Sequence, residues 1–361
     1  MEKLRGEELA ALIERVFQPG EKDSALAVMV DLPDAKVDDL PAWKQRREMA
    51  ADWVRELQPY QEKLGLKVRL VLYRNAHMNN ADLPPSGWLD PVEDGLPGLA
   101  EEMDPAQAME FSRLFAEHSL LMAPTHFSAT ATLKLAAKEY GIRAATMPGF
   151  DACMIPALRL DYGVINARCD FLKSVLDRAQ AADFVFKVDG KDVYELKLDL
   201  RHRQAMASGG MFPQAGKAGN LPSGETYIVP YEGELEGDPS GSAGELPVEF
   251  EDGVVVYRIE NNVAIRAGGE EPAAAREAGR LAEEPAYGNM AELGLGVLAD
   301  FGLEPTGEIL LDEKLGLHIA FGRSDHFGGQ VGAAQFSSPE AVVHIDRVYI
   351  PKIQPRVQVE R

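Results

Sequence analysis

Apolar residues in the first part of the chain recur in patterns that predict alternating helices and buried strands. One helical face is formed by residues at three- and four-residue spacings, namely Leu4, Leu9, Leu12, Ile13 and Val16. Pro19 and Gly20 end this helix. Continuous apolar runs at 25–33 and 68–73 are typical of strands that a parallel sheet buries on both faces.

A second helix is predicted between those runs, at 43–57, where the apolar spacing is again helical. The segment 119–141 indicates a strand, a turn and a helix that stops at its final glycine, and 143–150 supplies another strand and turn. Strands and helices that alternate in this way predict an α/β layer with a largely parallel sheet. Residues 1–165 are therefore assigned to an N-terminal α/β domain.

The pattern changes after residue 165. One further helix is predicted at 171–179, and the segments that follow alternate apolar and polar residues, as half-buried antiparallel strands do. A helix at 272–284 interrupts them, and the Gly-, Pro- and acid-rich stretch 232–245 predicts a mobile loop. Residues 166–361 are therefore assigned to a β-rich α+β domain, since a chain of 361 residues is long enough for two cores.

Composition limits the functions that this chain can have. The hydrophobic and charged fractions, 45% and 26%, are ordinary for a globular protein, and a formal charge of −21 disfavours nucleic acid and anionic lipid as partners. No apolar run approaches the roughly 20 residues that cross a bilayer. Two cysteines without metal-type spacing and the lack of a signal segment predict a cytoplasmic location. Neither a phosphate-binding loop nor a dinucleotide-binding glycine pattern is present.

Two histidine segments in the last third of the chain can bind a metal ion. His344 and Asp346 are two residues apart in a β-type run, so both side chains project from the same strand face and can hold one ion together. His318 shares its strand face with Ala320 and Gly322, and these small neighbours leave room for a metal. Taken singly, each histidine has an ordinary explanation as a hydrogen-bonded structural residue.

Two acids complete the candidate ligand set. Glu225 follows the turn L-P-S-G, and Glu292 lies in A-E-L-G-L-G, where glycines allow a close backbone approach. Singly these acids would be solvated surface residues. Together, three carboxylates and two neutral imidazoles carry three negative charges, which two divalent cations and one hydroxide neutralise. Carboxylate and imidazole ligands without thiolate suit zinc, manganese or cobalt, with Fe(II) as a further candidate.

These segments resemble the metal site of the thermophilic metalloaminopeptidases, peptidase family M29. The resemblance rests on four motifs in the same order and with similar gaps: N-L-P-S-G-E-x-x-x-x-P, A-E-L-G-L-G, L-D-E-K-x-G-L-H-I-A-F-G and H-x-D. Two N-terminal segments, A-P-T-x-x-S-x-T at 123–130 and A-T-M-P-G at 145–149, resemble the same family. The similarity therefore covers most of the chain.

The resemblance implies a homodimeric enzyme that removes N-terminal amino acids from small peptides. It also implies a dinuclear centre with one bridging carboxylate, whose ligands are Glu225, Glu292, His318, His344 and Asp346. Our hypothesis gives proton transfer to Glu225 or Glu292. The chain departs from the family at Asp325, which stands where the family has a tyrosine, seven residues beyond the first of the two histidines. Asp325 or His326 is the candidate for replacing that donor.

Two other functions stay open. The 2,5-dihydroxypyridine 5,6-dioxygenases resemble this group in overall pattern and use a single Fe(II) held by two histidines and one carboxylate. His318, His344 and Asp346 are such a set, whereas Glu225 and Glu292 are residues that a mononuclear site would not require. A catalytically silent metal-binding homologue is the third alternative, because the departure from the family falls at a plausible catalytic position.

Overall fold

A computed structural model describes residues 2–90, 95–349 and 353–360 of the chain. Helices and strands alternate in the first part, and antiparallel sheets dominate the second, so the predicted α/β class with a β-rich C-terminal part is confirmed. Among the helices in these ranges, none combines the length and the apolar character that crossing a membrane requires.

The chain divides into two compact units. The first comprises Met1–Asn166 and Gly210–Ser223, and the second comprises Ala167–Gly209 and Gly224–Arg361. The predicted division into 1–165 and 166–361 did not include the return of the short segment 210–223 to the first unit. This segment supplies an edge strand to the first unit's sheet. Its pairing with the neighbouring strand is not predicted by any local sequence pattern.

The elements follow one another along the chain as two series. The helices are α1 (Gly6–Phe17), α2 (Pro41–Leu57), α3 (Gln61–Leu64), α4 (Phe111–Glu117), α5 (Thr130–Tyr140), α6 (Ile155–Leu158), α7 (Tyr162–Leu176), α8 (Pro272–Glu283) and α9 (Ile309–Asp312). The strands are β1 (Ala25–Leu32), β2 (Lys67–Arg74), β3 (Ser86–Asp90), β4 (Met109–Glu110), β5 (Leu120–Ala123), β6 (Arg143–Thr146), β7 (Ala181–Val188), β8 (Asp192–Asp199), β9 (Met206–Ser208), β10 (Ala218–Asn220), β11 (Glu225–Ile228), β12 (Ala243–Phe250), β13 (Gly253–Glu260), β14 (Val263–Gly268), β15 (Met290–Gly296), β16 (Leu317–Gly322), β17 (His344–Val348) and β18 (Ile353–Glu360).

The first unit is built on a seven-stranded sheet in the order β10-β6-β5-β1-β2-β3-β4. Strands β10, β6, β5, β1 and β2 run parallel, and β3 and β4 add antiparallel strands at one edge. Every residue of β1 is buried, as the continuous apolar run predicted. Gly141, with φ +72°, ends α5 at the predicted position because the left-handed backbone suits glycine.

The second unit contains a six-stranded sheet, β14-β13-β12-β8-β7-β18, and a five-stranded sheet, β17-β16-β15-β11-β9. Two predictions need correction. The helix predicted at 171–179 is α7, which begins earlier and ends at Leu176. The predicted loop 232–245 ends at residue 242, because its last residues belong to β12; within the loop, Asp238 pairs with Arg201 and accepts a hydrogen bond from Tyr231 Oη.

The five-stranded sheet has two chemically different faces because side chains alternate along each strand. In β16, Leu317, Ile319 and Phe321 join the hydrophobic core that includes Phe184 and Tyr257. The intervening residues of β16 point to the opposite face. The neighbouring β17 ends at Val348. The β-type run predicted around His344 and Asp346 covers 341–350, and its last residue, Ile350, lies outside the described residues.

Candidate metal centre

Strand register places all five predicted ligands on the face of the five-stranded sheet that is turned away from the core. Glu292 in β15 is opposite Ala320 in β16, which is opposite Asp346 in β17. Directly paired residues of antiparallel strands share a face, and so do residues two apart on one strand. His318, His344 and Glu225 join the same face through their pairings with Gly294, Gly322 and Gly296 respectively.

The five side chains form two groups that share one carboxylate. Glu225, Glu292 and His318 offer one ligand atom each within 4.8 Å of one another, and Glu292, His344 and Asp346 do the same. Glu292 Oε1 lies 3.3 Å from His318 Nε2, while its Oε2 lies 3.2 Å from His344 Nε2. Each oxygen of Glu292 therefore faces a different imidazole, which is the arrangement of a carboxylate between two cation positions.

The remaining contacts complete each group. His318 Nε2 is 3.5 Å from Glu225 Oε2, and His344 Nε2 is 3.6 Å from Asp346 Oδ1. Glu225, Glu292 and His318 are buried, whereas His344 and Asp346 are partly exposed. The second group is therefore the one that solvent reaches more directly.

Glycine at position 294 makes the close approach of His318 feasible. A Cβ at this position would lie 1.9 Å from His318 Nε2 and 2.1 Å from its Cε1, so the imidazole lies directly over the bare backbone of β15. Since non-bonded atoms prefer separations of about 3.5 Å, no larger residue fits beneath the ring. Gly294, the first glycine of the A-E-L-G-L-G motif, thus determines how closely His318 on the neighbouring strand can approach β15.

The orientation of His344 is set by a hydrogen bond at its other ring nitrogen. Nδ1 lies 2.7 Å from the backbone oxygen of Arg323. A proton on Nδ1 makes this bond and directs Nε2 at Glu292 and Asp346, where it carries a proton in the metal-free protein and would offer its lone pair to a metal ion once that proton is lost. Ligand histidines are commonly held in this way, because the partner of the second nitrogen fixes both tautomer and ring angle.

The strand that carries His344 and Asp346 is anchored on its opposite face. Arg347 lies over the Phe250 ring at 4.7 Å and donates from Nη2 to Tyr287 Oη at 2.8 Å. Tyr287 Oη in turn donates to the buried Glu277 carboxylate at 2.6 Å. These contacts bind β17 to the core, so its alternate residues project toward the ligand face.

In the metal-free protein, the carboxylates of the cluster stabilise positive charge on both histidines and shift the pKa values of these groups. Burial by itself lowers the pKa of His318, but the hydrogen bond with Glu292 and the charge of Glu225 outweigh it and raise the pKa to about 9. Burial is likewise outweighed at His344, whose pKa is raised well above its usual value by Asp346 and Glu292. The pKa of Asp346 is lowered, because interactions with the two imidazoles exceed the effect of burial. In the metal-free protein, protons on the histidines therefore balance carboxylate charge that a metal cation would balance when bound.

Two charged residues of the site are not among those predicted from the sequence. Lys314 is 1% exposed at its side chain, and its Nζ donates to Glu225 Oε1 at 2.6 Å and also to Glu313. Burial raises the pKa of Glu313 to about 8 despite the opposing charge of Lys314. The signal was available, since both residues stand in the L-D-E-K-x-G-L-H motif. Only their burial beside Glu225 distinguishes them from solvated residues.

The two residues proposed to replace the family tyrosine lie at the rim of the cluster. Asp325 is bound by Arg323, whose Nε donates to Oδ1 at 2.6 Å, and it belongs to neither ligand group among the described residues. The His326 ring lies 5.1 Å from the His344 ring, and burial and the neighbouring positive charge lower its pKa to about 4. The structure therefore brings His326 next to a ligand and leaves Asp325 engaged elsewhere.

An aromatic pair lies on the ligand face beside these groups. The Phe327 ring is 4.8 Å from the Tyr227 ring and 5.3 Å from the His344 ring. Tyr227 is two residues beyond Glu225 on β11 and is opposite Gly294, so its side chain projects from the ligand face. Neither aromatic residue is recognisable from the sequence as part of the site, because aromatic side chains in a β-rich unit are expected in the core.

The donor set fits divalent cations on chemical grounds. Two donor atoms bound to one ion at about 2.0–2.2 Å in tetrahedral geometry lie roughly 3.3–3.6 Å apart. The four imidazole-to-carboxylate distances of the two groups, 3.2–3.6 Å, match this separation. Three carboxylates brought together within a largely buried site also require compensation, since an isolated buried charge is costly. The residues therefore suit a metal centre, with zinc, manganese, cobalt or iron(II) compatible with their chemistry.

Comparison with known proteins shows the fold. Over 98% of its length the chain superposes on 94% of the 2,5-dihydroxypyridine dioxygenase from Pseudomonas putida KT2440, with a TM-score of 0.59 and 13% identity. It superposes equally completely on AmpT from Thermus thermophilus, covering 94% of that chain, with a TM-score of 0.55 and 18% identity. No protein-family model and no curated protein matches the sequence. The chain thus shares the fold of these proteins, at identities that establish fold alone.

Proposed function

We propose that this protein is a metal-dependent hydrolase of the aminopeptidase type, which releases N-terminal amino acids from small peptides with two divalent ions. The observation that carries the proposal is the position of Glu292. One of its oxygens faces His318 and the other faces His344, and each imidazole has a further carboxylate beside it. A mononuclear site has no use for a carboxylate shared between two ligand groups.

Charge alone does not select the number of ions. Lys314 is charged, and burial raises the pKa of Glu313 to about 8, so near neutral pH Glu313 holds a proton and the pair adds one positive charge beside Glu225. One divalent ion then balances the three ligand carboxylates and Lys314, whereas two divalent ions with one hydroxide are balanced when Glu313 is ionised. The proposal of two ions therefore rests on the position of Glu292.

Divalent ions bound here would supply an acidified water molecule and polarise a substrate carbonyl. The chain's own residues define the rest of the reaction. Lys314 engages Oε1 of Glu225 and leaves Oε2 directed at the cluster, so Glu225 presents a single oxygen. Glu292 presents both of its oxygens. Proton transfer was assigned to these two acids from the sequence, and Glu313 is a further carboxylate for this task because it lies outside both ligand groups and can hold a proton.

The substrate amine fits the surroundings of the site. A peptide's N-terminal ammonium or amine meets a face rich in carboxylates, including Asp346 at its more exposed side. Because metal ions would neutralise these carboxylates, we propose that the amine binds in its neutral form, as a ligand of a metal ion. The resemblance to metalloaminopeptidases and the fold shared with AmpT support the same substrate class.

Metal stoichiometry and peptidase activity test the proposal together. We expect about two zinc, manganese or cobalt ions per chain and hydrolysis of aminoacyl-coumarin substrates. Glu292→Gln should lose at least one ion and most activity, since it removes the shared negative charge. Glu260→Gln, an exposed glutamate at the end of β13, is the matched control and should behave as the wild type. Full activity in Glu292→Gln would remove this residue from the mechanism.

A mononuclear Fe(II) dioxygenase acting on hydroxylated pyridines is the second candidate. It is favoured by the fold shared with 2,5-dihydroxypyridine dioxygenase and by the presence of two histidines and Asp346 on one sheet face. About one iron per chain, no other metal and oxygen uptake with hydroxylated pyridines would establish it in place of the hydrolase. Metal binding without turnover in either assay would instead identify a catalytically silent homologue.

We further propose that the protein acts as a homodimer, because the family that its motifs resemble forms homodimers. Light scattering coupled to gel filtration should give twice the monomer mass. A monomer at micromolar concentration would overturn this part of the proposal without affecting the metal centre.

A further inference from the structure

A buried carboxylate outside the ligand set connects three segments around the metal centre. Glu232 follows β11, and its side chain is only 6% exposed. It is neither a member of the two ligand groups nor part of a motif quoted for the family resemblance. A carboxylate in this position has to be compensated, because burial of an unpaired charge is costly.

Four donors satisfy Glu232. Its Oε1 accepts from Ser324 Oγ at 2.5 Å and from Asn289 Nδ2 at 2.8 Å. Its Oε2 accepts from the Gln330 backbone N–H and from Arg203 Nη2, the latter at 3.3 Å. Carboxylates bonded to several donors are held rigidly, since each bond to a charged acceptor is stronger than a neutral one.

Hydrogen bonds connect the residues on both sides of Arg323, Gly322 and Ser324, to the Glu232 carboxylate. Ser324 binds it directly, and Asn289 Nδ2 bonds both Glu232 and the Gly322 carbonyl, the latter at 3.0 Å. The peptide between them carries the Arg323 carbonyl, which accepts from His344 Nδ1 at 2.7 Å. A continuous set of hydrogen bonds therefore runs from Glu232 to the imidazole of a predicted ligand.

Gly329 packs closely against the hydrogen bond between Ser324 and Glu232. A Cβ there would lie 2.2 Å from Ser324 Oγ and 3.0 Å from Glu232 Oε1. The bare backbone allows hydroxyl and carboxylate to meet. Any larger residue would push them apart.

We infer that Glu232 is a positioning residue of the metal centre. By fixing the segment Gly322–Ser324 it fixes the Arg323 carbonyl, and this carbonyl holds His344 with its proton on Nδ1 and its Nε2 directed at Glu292 and Asp346. The inference rests on the proposed metal centre and not on the reaction catalysed there. It concerns one half of the centre, because none of the hydrogen bonds described for Glu232 reaches His318, which lies four residues before Gly322 in β16.

Glu232→Gln tests this role with little change in shape. The amide nitrogen has to face either Ser324 and Asn289 or Gln330 and Arg203. Asn289, Gln330 and Arg203 are donors here and Ser324 must reverse its hydroxyl to accept, so at least one bond loses its acceptor. Loss of the group that hydrogen-bonds a ligand histidine typically weakens metal affinity about 10- to 100-fold, and displacement of the Arg323 carbonyl should cost about 10-fold, the lower end of that range. We expect this loss for one ion of the two, measured by chelator competition, together with a changed visible spectrum of half of the bound Co²⁺.

Glu234→Gln is the matched control. Glu234 pairs with the same Arg203, at 3.1 Å from Nη2, but has no bond to Ser324, Asn289 or Gln330 among the described contacts. It should leave both metal affinities within about twofold of the wild type. Gly329→Ala is a second test that changes no charge, and it should reproduce the selective loss if Glu232→Gln does not fold.

Three results would overturn the inference: equal effects of Glu232→Gln and Glu234→Gln, an equal loss of both ions, or wild-type affinity in a folded Gly329→Ala variant. A wild-type protein that binds no metal would overturn it as well. Metal binding without peptidase activity would contradict only the proposed function, because every measurement of this test is made without substrate.

Discussion

Replacement of Gly294 by alanine is the most direct test of the ligand geometry, because it adds one methyl group beneath the His318 ring. The new Cβ would lie 1.9 Å from Nε2, 2.1 Å from Cε1 and 2.6 Å from Cδ2 of His318. The backbone of β15 at this position is not left-handed, so alanine introduces no conformational strain of its own. The perturbation is therefore steric and local.

The size of the displacement follows from these contacts. Restoring a separation of about 3.5 Å requires the ring nitrogen to move by roughly 1.6 Å. His318 Nε2 now lies 3.3 Å from Glu292 Oε1 and 3.5 Å from Glu225 Oε2, and a shift of that size far exceeds the roughly 0.2 Å tolerance of a metal–ligand distance. We expect the affinity for the ion of this group to fall at least about 100-fold, and overpacking to cost about 1–3 kcal/mol of stability.

Chelator competition, elemental analysis and thermal unfolding measure these effects. Gly268→Ala in β14 is the matched control, because the nearest atom to its Cβ, the Val256 carbonyl oxygen, is 3.6 Å away. The control should retain both ions, and Gly294→Ala should retain only the ion of the His344 group. Unchanged binding of two ions by Gly294→Ala would refute the assignment of His318 Nε2 as a ligand atom.

Three further predictions concern the charges of the site. The pKa of His318 is raised to about 9 in the metal-free chain, so its proton competes with a metal ion below that pH. The affinity for the ion of the His318 group should therefore rise about tenfold per pH unit from pH 7 to 9 and then level off. A chelator titration that shows no pH dependence would contradict this prediction. Lys314→Met leaves Glu225 and Glu313 without their buried cation and should lower the free energy of unfolding of the metal-free protein by about 3–5 kcal/mol. Chemical denaturation that shows no such loss would mean that the ion pairs of Lys314 contribute little to stability. Asp325→Asn should leave metal content unchanged, since Asp325 is outside both ligand groups; elemental analysis that finds an ion missing would place it among the ligands.

The fold was accessible from the sequence where local patterns and burial agree. The apolar run of β1 predicted a strand buried along its whole length, and Gly141 marked the end of α5. The segment 210–223 could not be assigned, because its membership of the first unit depends on a pairing between β10 and β6, which are more than 70 residues apart in sequence. The start of α7 was also misplaced, because Gly163 in its first turn weakens the local helix signal.

The ligand set illustrates the same division. Alternation along β16 and β17 was sufficient to place His318, His344 and Asp346 on strand faces, because the side-chain period of a strand is a local property. That these faces coincide, and that Glu292 lies between the two histidines, depends on the register of three strands. Register is decided by pairing across long stretches of chain, which a single sequence does not reveal.

The sequence by itself determined the chemistry that is available to this protein: three acids and two histidines in strand-like segments, small residues beside them, and a net charge that disfavours anionic partners. The tertiary structure alone decided which of these atoms meet. It made Glu292 the shared carboxylate, brought Lys314 into the buried site, left Asp325 bound to Arg323, and connected Glu232 to His344. The reason is physical, since side-chain chemistry is a property of each residue, whereas distance, burial and hydrogen-bond partners arise only when strands far apart in sequence pack together.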